Sequence, residues 1–195
     1  MSTSMRTFVR TTLDLGDATL HPWGRDPAGP ERLDDLVAAA ADPTIALWNP
    51  LAATDRKAAQ TWLEAREDGW DRGAGAAFAA LAATDGALLG TVNLRWVDRA
   101  DGLAMIGYWL LPDARGRGLA TRATRAVTTW GFHTAGARRI ELAHATGNEA
   151  SCRVAHRCGY LPEGTLRESH LFGDGLHHDE HLHARLSTDP EDNEG

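Results

Sequence analysis

Hydrophobic positions along this chain change their period several times, and each change marks an element. Residues 103–111 are a short apolar and aromatic run bounded by Gly102 and Pro112, which predicts a buried strand. A turn follows over residues 112–117. From Gly118 onward, Leu119, Ala123, Ala126, Val127 and Trp130 recur at helical spacing, so the turn opens into a helix that Gly136 ends. Upstream, residues 76–83 and 87–97 read as strands on either side of Asp85-Gly86, a two-residue hairpin signal. Three strands therefore form a meander in front of the glycine-rich turn.

The flanks read less sharply. Residues 11–23 hold a weak strand, and residues 24–30 are a Pro/Gly loop. Pro30 suits the first turn of a helix whose stripe is Leu33, Leu36, Val37 and Ala40, ending near Asp42-Pro43. Residues 44–51 read as a connector carrying Trp48. Thr54 is the expected N-cap of a helix with Ala58, Trp62, Leu63 and Trp70, which stops within residues 69–75. After the central helix come a strand over 139–146 and a short helix capped by Asn148, with Ala150, Val154 and Cys158 on one face and Gly159 as its stop. Two last strands span 160–167 and 178–186. Residues 1–12 read as an arm, 13–186 as one domain, and 187–195 as an acidic disordered tail. The order is α+β: one mixed, mostly antiparallel sheet flanked by helices.

Composition narrows the class. A chain of 195 residues suits one full core rather than two. The net charge of -7 argues against nucleic acid as the main partner. No apolar run is long enough to span a membrane, and residues 1–10 lack the pattern of a signal peptide. Cys152 and Cys158 have neither disulfide nor zinc-finger spacing and read as reduced thiols, which predicts a cytoplasmic protein.

The glycine turn has one obvious chemical use. The first amides of a helix lack intrahelical acceptors and carry the positive end of its dipole, and glycines let a ligand approach them. Arg115, Arg117 and Arg122 add positive charge suited to phosphate oxygens. No Gly-Lys-Ser/Thr follows, so the turn is not a P-loop, and it is not Gly-x-Gly-x-x-Gly. Spacing alone leaves open a plain strand-to-helix turn with solvated arginines.

Arg115, Gly118 and Ala120 fit Arg/Gln-x-x-Gly-x-Gly/Ala, which resembles the acetyl-CoA pyrophosphate loop of the GNAT superfamily of N-acetyltransferases. The preceding Gly-Tyr-Trp-Leu-Leu-Pro looks like its ribosomal-protein N-terminal acetyltransferase (RimJ/RimL-like) branch. A second signature, Asn148-Glu-Ala-Ser151 with Val154 and Cys158-Gly159-Tyr160, is similar to the family's Asn-x-x-Ser-x-x-Val…Gly-Phe. The resemblance covers most of the chain and implies the family's fold and a cosubstrate, acetyl-CoA. It implies that the backbone of Leu110 and Leu111 pairs with the pantetheine arm. It assigns the pyrophosphate to the amides of Gly116, Arg117, Gly118, Leu119, Ala120 and Thr121, with Arg115 beside them. Asn148 would contact the arm from the other side, and Ser151 would sit near the thioester sulfur. Taken alone, Asn148 reads as an N-cap and Ser151 as a first-turn polar residue.

Departures from the family pattern shape the chemistry. Met105 and Arg122 stand where many relatives carry Glu, and Ala155 stands where the wider superfamily often has a tyrosine acid. Ser151 is left as the candidate acid. Without a strong carboxylate base, an α-amine suits the site better than a lysine: about a tenth of an α-amine is neutral at pH 7, against well under about a thousandth of a lysine. His170, His177, His178 and Asp179 are candidate proton acceptors, with His178 the chosen catalytic one. The cluster His170, His177, His178, His181 and His183 shows no cysteine partner and no second spaced pair in sequence, so no metal is expected and surface histidines are the reading. The implied partners are acetyl-CoA and an amine acceptor, a peptide N-terminus or a small molecule, with no nucleic acid and no membrane. A non-catalytic acyl-CoA-binding sensor or assembly protein is the alternative, and a histidine-based metal binder, which equimolar metal in the purified protein would support, is a third reading. A homodimer is possible, with Trp70 and Trp96 as exposed aromatics at its interface.

Overall fold

Alternation within the strand Gly75–Ala82 (β3) decides the layering. Ala76, Phe78 and Ala80 join one buried cluster, while Ala77, Ala79 and Leu81 join another. The sheet is therefore covered on both faces, as a period of two between apolar neighbours requires. A computed structural model describes residues 8–190. Its strands are β1 (Leu13–Asp14), β2 (Ala18–Pro22), β3, β4 (Leu88–Asp98), β5 (Leu103–Leu110), β6 (Arg139–Ala145), β7 (Leu161–Leu171) and β8 (His177–Leu186). They form one sheet in the order β1-β2-β3-β4-β5-β6-β8-β7. Every neighbouring pair is antiparallel except β5 and β6.

The helices are α1 (Leu33–Ala41), α2 (Pro43–Trp48), α3 (Arg56–Arg72), α4 (Leu119–Trp130) and α5 (Glu149–Arg157). Leu119, Ala123, Val127 and Trp130 of α4 and Ala155 of α5 fill the first cluster. Leu33 and Leu36 of α1 and Trp62 and Leu63 of α3 fill the second. Both faces thus follow the stripes read in the sequence, and the α+β plan holds. No described helix is long and apolar enough to cross a membrane.

Several local expectations are corrected. The weak strand over 11–23 is a hairpin, β1–β2, because Gly16 at φ +85° turns the chain and donates its N–H to Asp14 Oδ1 at 2.8 Å. The connector after residue 42 is a helix: Asp42 Oδ1 accepts from the amides of Thr44 (3.1 Å) and Ile45 (2.9 Å), with Pro43 at the first position. The N-cap of α3 is Asp55, not Thr54; its carboxylate accepts from the Ala58 amide at 2.8 Å. On the short helix, Ala150 is exposed and the buried positions are Ala155 and the capping Cys158.

The chain ends expected as arm and tail are partly built into the body. Phe8 is 9% exposed and packs against Trp70, Trp96 and Trp130. Arg10 donates to the carbonyls of Trp23 and Glu67 and to Asp71. Residues 187–190 form a turn in which the Leu186 amide donates to Asp189 Oδ2 and Arg185 donates to the Pro190 carbonyl. Residues 1–7 and 191–195 lie outside the described residues. Trp70 is fully buried and Trp96 partly buried, so neither is the exposed interface aromatic expected; exposed large apolar side chains include Leu161, Leu166 and Leu171 on edge strand β7.

The loop between β7 and β8 is closed onto α2. The Gly173 amide donates to the Leu47 carbonyl at 3.0 Å, and a Cβ at Gly173 would stand 1.7 Å from the Ala46 oxygen. Since that neighbour is backbone, it cannot swing aside. Gly173→Ala is expected to cost about 1–3 kcal/mol, the usual range for overpacking, and to loosen Phe172 from Trp48, now 5.7 Å apart. Urea unfolding and tryptophan fluorescence of the variant check both.

Candidate active site

Strands β5 and β6 run parallel and pair only where Leu103–Met105 meet Arg139–Glu141. Beyond that point they part, because each continues along a different antiparallel neighbour: β5 with β4, and β6 with β8. The gap opens as a cleft of about 540 Å³, within the range of small-molecule sites. Tyr108, Trp109 and Leu110 form one wall, and Gly147 to Ser151 with Val154 form the opposite one. Gly116 and Gly118 to Thr121 form the end, and Thr44, Ile45, Trp48 and Asn49 close the side.

The glycine turn brings uncapped amides to the end of the cleft. Gly118 sits at φ +73°, a left-handed conformation that glycine takes without a Cβ penalty, and starts α4 with no side-chain cap. The first-turn amides of Leu119, Ala120 and Thr121 therefore lack both an intrahelical acceptor and a capping oxygen. Those residues, with Gly116 and Gly118, line the cleft. Arg117 is exposed and does not.

The expected free arginine charge is largely committed elsewhere. Arg115 lines the cleft but donates to the Leu110 carbonyl at 3.0 Å and pairs with Asp42 at 2.6 Å. Arg122 pairs with Asp17 at 2.6 Å and donates to the Arg117 carbonyl at 3.0 Å. Both side chains are tied into the loop and its neighbours, and the first amides of α4 are left without a side-chain cap.

Burial pushes the Asp42 carboxyl up, but the bond from Arg115 and the amides of Ile45 and Thr44 outweigh it and hold the group below the usual carboxylate range. A depressed folded pKa gives stability that is complete above the unfolded value, near about 4, and lost as pH falls through the folded one. Asp42→Ala is therefore expected to cost about 1–2 kcal/mol at neutral pH as a lost cap and ion pair. That gap to the unmodified protein should close on acidification below about pH 4 in paired denaturation curves.

Leu110 lines the cleft, whereas Leu111 does not. The Leu111 amide donates to the Leu89 carbonyl at 2.9 Å and its side chain packs on the second cluster. By the alternation of a β-ladder, the edge facing β6 belongs to Tyr108 and Leu110. Leu111 was expected beside Leu110 because sequence does not show which way an amide points.

Asn148 caps α5: its Oδ1 accepts from the Ser151 amide at 3.1 Å. Ser151 Oγ in turn accepts from the Tyr108 hydroxyl at 3.0 Å. Since Tyr108 donates in this bond, the serine hydrogen is left to point at a third group. Burial pushes the Tyr108 hydroxyl up to about 12, against the opposing pull of the Ser151 bond, so it stays protonated at neutral pH. Sequence reasoning missed Tyr108 as a site residue. Its signal was the tyrosine inside Gly-Tyr-Trp-Leu-Leu-Pro, but its pairing with Ser151 comes from the fold.

The proton acceptors expected near the end of the chain stand apart. His178 Nε2 lies 2.7 Å from Asp174 Oδ2, and its ring packs against Phe172 and Trp48 at 5.5 and 6.5 Å. That bond holds the Asp174 carboxyl below its ordinary range. His178 thus stands behind Trp48 rather than in the cleft wall, and His170, His177 and Asp179 do not line the cleft either. The surface reading also fails for part of the histidine cluster. His183 is buried together with His144, and Cys152 lies close to both.

Comparison with known proteins places this cleft in context. The acetyltransferase (GNAT) domain family matches residues 25–161. YdaF of Bacillus subtilis, provisionally named a ribosomal N-acetyltransferase, is 38% identical over 95 residues, 49% of this chain and 51% of that protein. The chain thus spans about half the length of this curated relative. The ribosomal-protein-S5-alanine acetyltransferase of Vibrio fischeri superposes with a TM-score of 0.80 at 18% identity, over 92% of this chain and 98% of the other. RimL, the ribosomal L7/L12 α-N-protein acetyltransferase solved with coenzyme A, gives 0.79 at 19% identity, over 90% of this chain and 98% of the other. At these identities the superpositions establish the fold.

Proposed function

This chain belongs to the acetyltransferase (GNAT) domain family, and from that premise we propose that it transfers the acetyl group of acetyl-CoA to an amine by direct attack of the nitrogen on the thioester. The observation that carries the proposal is the Tyr108–Ser151 pair in the cleft wall opposite the uncapped start of α4. Acetyl-CoA supplies an activated acyl carbon and a thiol leaving group. The amides of Gly116 and of Gly118 to Thr121 suit its pyrophosphate, and the Leu110 amide, on the edge of β5 that faces away from β4, suits a carbonyl of its amide-bearing arm.

Ser151 gives its proton to the departing sulfur as Tyr108, which already donates to Ser151 Oγ, passes its own to the serine oxygen, and Tyr108 regains a proton from solvent before the next turnover. The amine gives up its own proton to water or to a nearby acceptor, so the products are an acetamide and a free thiol. The carboxylate that shares the cleft wall with Ser151, Glu149, pairs with Arg153 at 3.5 Å rather than bonding to the serine, which favours an acceptor that is partly neutral at pH 7. That describes an α-amine, and the name of RimL, an α-N-protein acetyltransferase, points the same way, while that of YdaF points to a ribosomal acceptor. A small amine of low pKa is the second acceptor class.

Free-thiol release is the decisive measurement, with acetyl-CoA presented against peptides of different N-termini and a panel of small amines. Release with acetylation of the peptide α-amine, read by mass spectrometry, supports the proposal. Tight acetyl-CoA binding by calorimetry with no release across the panel overturns it in favour of a non-catalytic acyl-CoA-binding protein.

A further inference from the structure

We propose that His144, Cys152, His181 and His183 form a transition-metal site, with Zn²⁺ the best-matched ion. Strand register brings three of the four together. His144 on β6 lies directly opposite His181 on β8, and His183 follows two residues later on the same face of β8. Cys152 approaches that face from the first turn of α5. One ligand atom from each residue lies within 4.8 Å of all the others.

One pair of these ligand atoms already stands at tetrahedral spacing. Nε2 of His144 and Nε2 of His183 are 3.2 Å apart. Two nitrogens each about 2.0–2.1 Å from a tetrahedral zinc stand about 3.3–3.4 Å apart. The proton positions suit it too. His144 Nδ1 lies 2.9 Å from the Ala145 carbonyl, which can only accept. The proton is therefore on Nδ1, and the Nε2 lone pair faces the cluster. Metal-bound histidines ordinarily hold their second nitrogen this way.

Donor chemistry selects the class of ion. Three imidazoles and one thiolate are borderline to soft, which favours zinc over magnesium or calcium, both of which require oxygen ligands. His144 and His183 are buried, whereas Cys152 and His181 are half-buried and leave a route of entry. Binding exchanges the Cys152 S–H proton for a metal–sulfur bond, and the proton leaves to solvent. An ion held there ties α5 to β6 and β8. Because Cys152 follows Ser151 directly, the same tie fixes the start of the helix that Asn148 caps. Cys152 does not line the cleft, so the metal site is separate from it.

The test uses the full chain, stripped with a chelator, dialysed, and titrated with Zn²⁺ alone. The expected result is one zinc per chain by elemental analysis and a higher Tm in its presence. Co²⁺ alone, as an optical probe, should show tetrahedral bands and a thiolate-to-metal charge-transfer band. Cys152→Ser, close to isosteric, should remove the charge-transfer band and weaken Zn²⁺ binding by about 100-fold or more. His181→Ala, at a half-buried position, should weaken binding similarly, and His177→Ala on the exposed surface should leave it unchanged. Cys158, the other thiol, is buried and donates to the Thr121 carbonyl, so the band is assignable. Substoichiometric zinc in the folded protein, or zinc affinity unaltered in both Cys152→Ser and His181→Ala, overturns the proposal.

Discussion

Ser151→Ala is expected to lower kcat by about 10²–10³-fold, the effect of losing a positioned general acid, while leaving the KM for acetyl-CoA within a few-fold. The split follows from geometry. The serine hydroxyl is held by Tyr108 and its backbone amide by Asn148, so alanine removes the proton donor without moving the helix start. Tyr108→Phe should cost about tenfold, because Ser151 keeps its own proton but loses the group that replaces it. The double variant should be little slower than Ser151→Ala alone, since residues acting as one unit are not additive. With the Tyr108 hydroxyl protonated up to about 12, the rate should climb as the acceptor amine deprotonates and show no decline from tyrosine ionisation in the assay range. Steady-state kinetics with free-thiol detection on the three variants checks this. A Ser151→Ala enzyme of normal kcat would remove the serine from the chemistry.

Trp70→Ala should be the most destabilising of the variants considered, at about 3–5 kcal/mol. The indole is fully buried at the meeting of four aromatic rings. It packs edge-on against Phe78 at 5.0 Å, Trp130 at 5.7 Å and Phe8 at 6.2 Å. Its Nε1 donates to the Ala77 carbonyl at 2.9 Å, so truncation opens a cavity and removes a buried hydrogen-bond donor. For a chain of this size the loss corresponds to a Tm lower by roughly 6–20 °C. Trp70→Phe should recover part of the packing but not the hydrogen bond. Urea unfolding of both variants, with Trp96→Ala as a milder comparison on the partly buried neighbour, checks the ranking.

Trp70 also shows where sequence reading stops. On α3 it follows Trp62 and Leu63, which pack on the second cluster, yet Trp70 belongs to the first. A helical stripe gives the angle of a side chain about its own helix but not which layer lies opposite each turn. The same limit applies to Arg115 and Arg122. Composition makes them candidates for phosphate, but Asp42 and Asp17, distant in sequence, hold both. Position near the end of the chain makes His178 a candidate proton acceptor, but packing sets it behind Trp48 and against Asp174.

Short-range physics was legible throughout. The meander of β3 to β5, the uncapped glycine entry to α4 and the Asn148 cap of α5 all depend on neighbours within a few residues, and the structure contains each of them. Two more local signals were present but read one step wrong. Asp42-Pro43 begins a helix as well as ending one, and Asp55 rather than Thr54 takes the cap.

The sequence by itself determined the elements, the sheet flanked by helices and the uncapped glycine turn, because periodicity and capping are local properties of the chain. Only the tertiary structure decided which groups meet across it. The parting of β5 from β6 sets Tyr108 against Ser151, and the register of β6 on β8 sets His144 against His181 and His183, with Cys152 above. Those meetings follow from strand pairing and helix packing over long sequence separations, which the spacing of residues along one chain does not record.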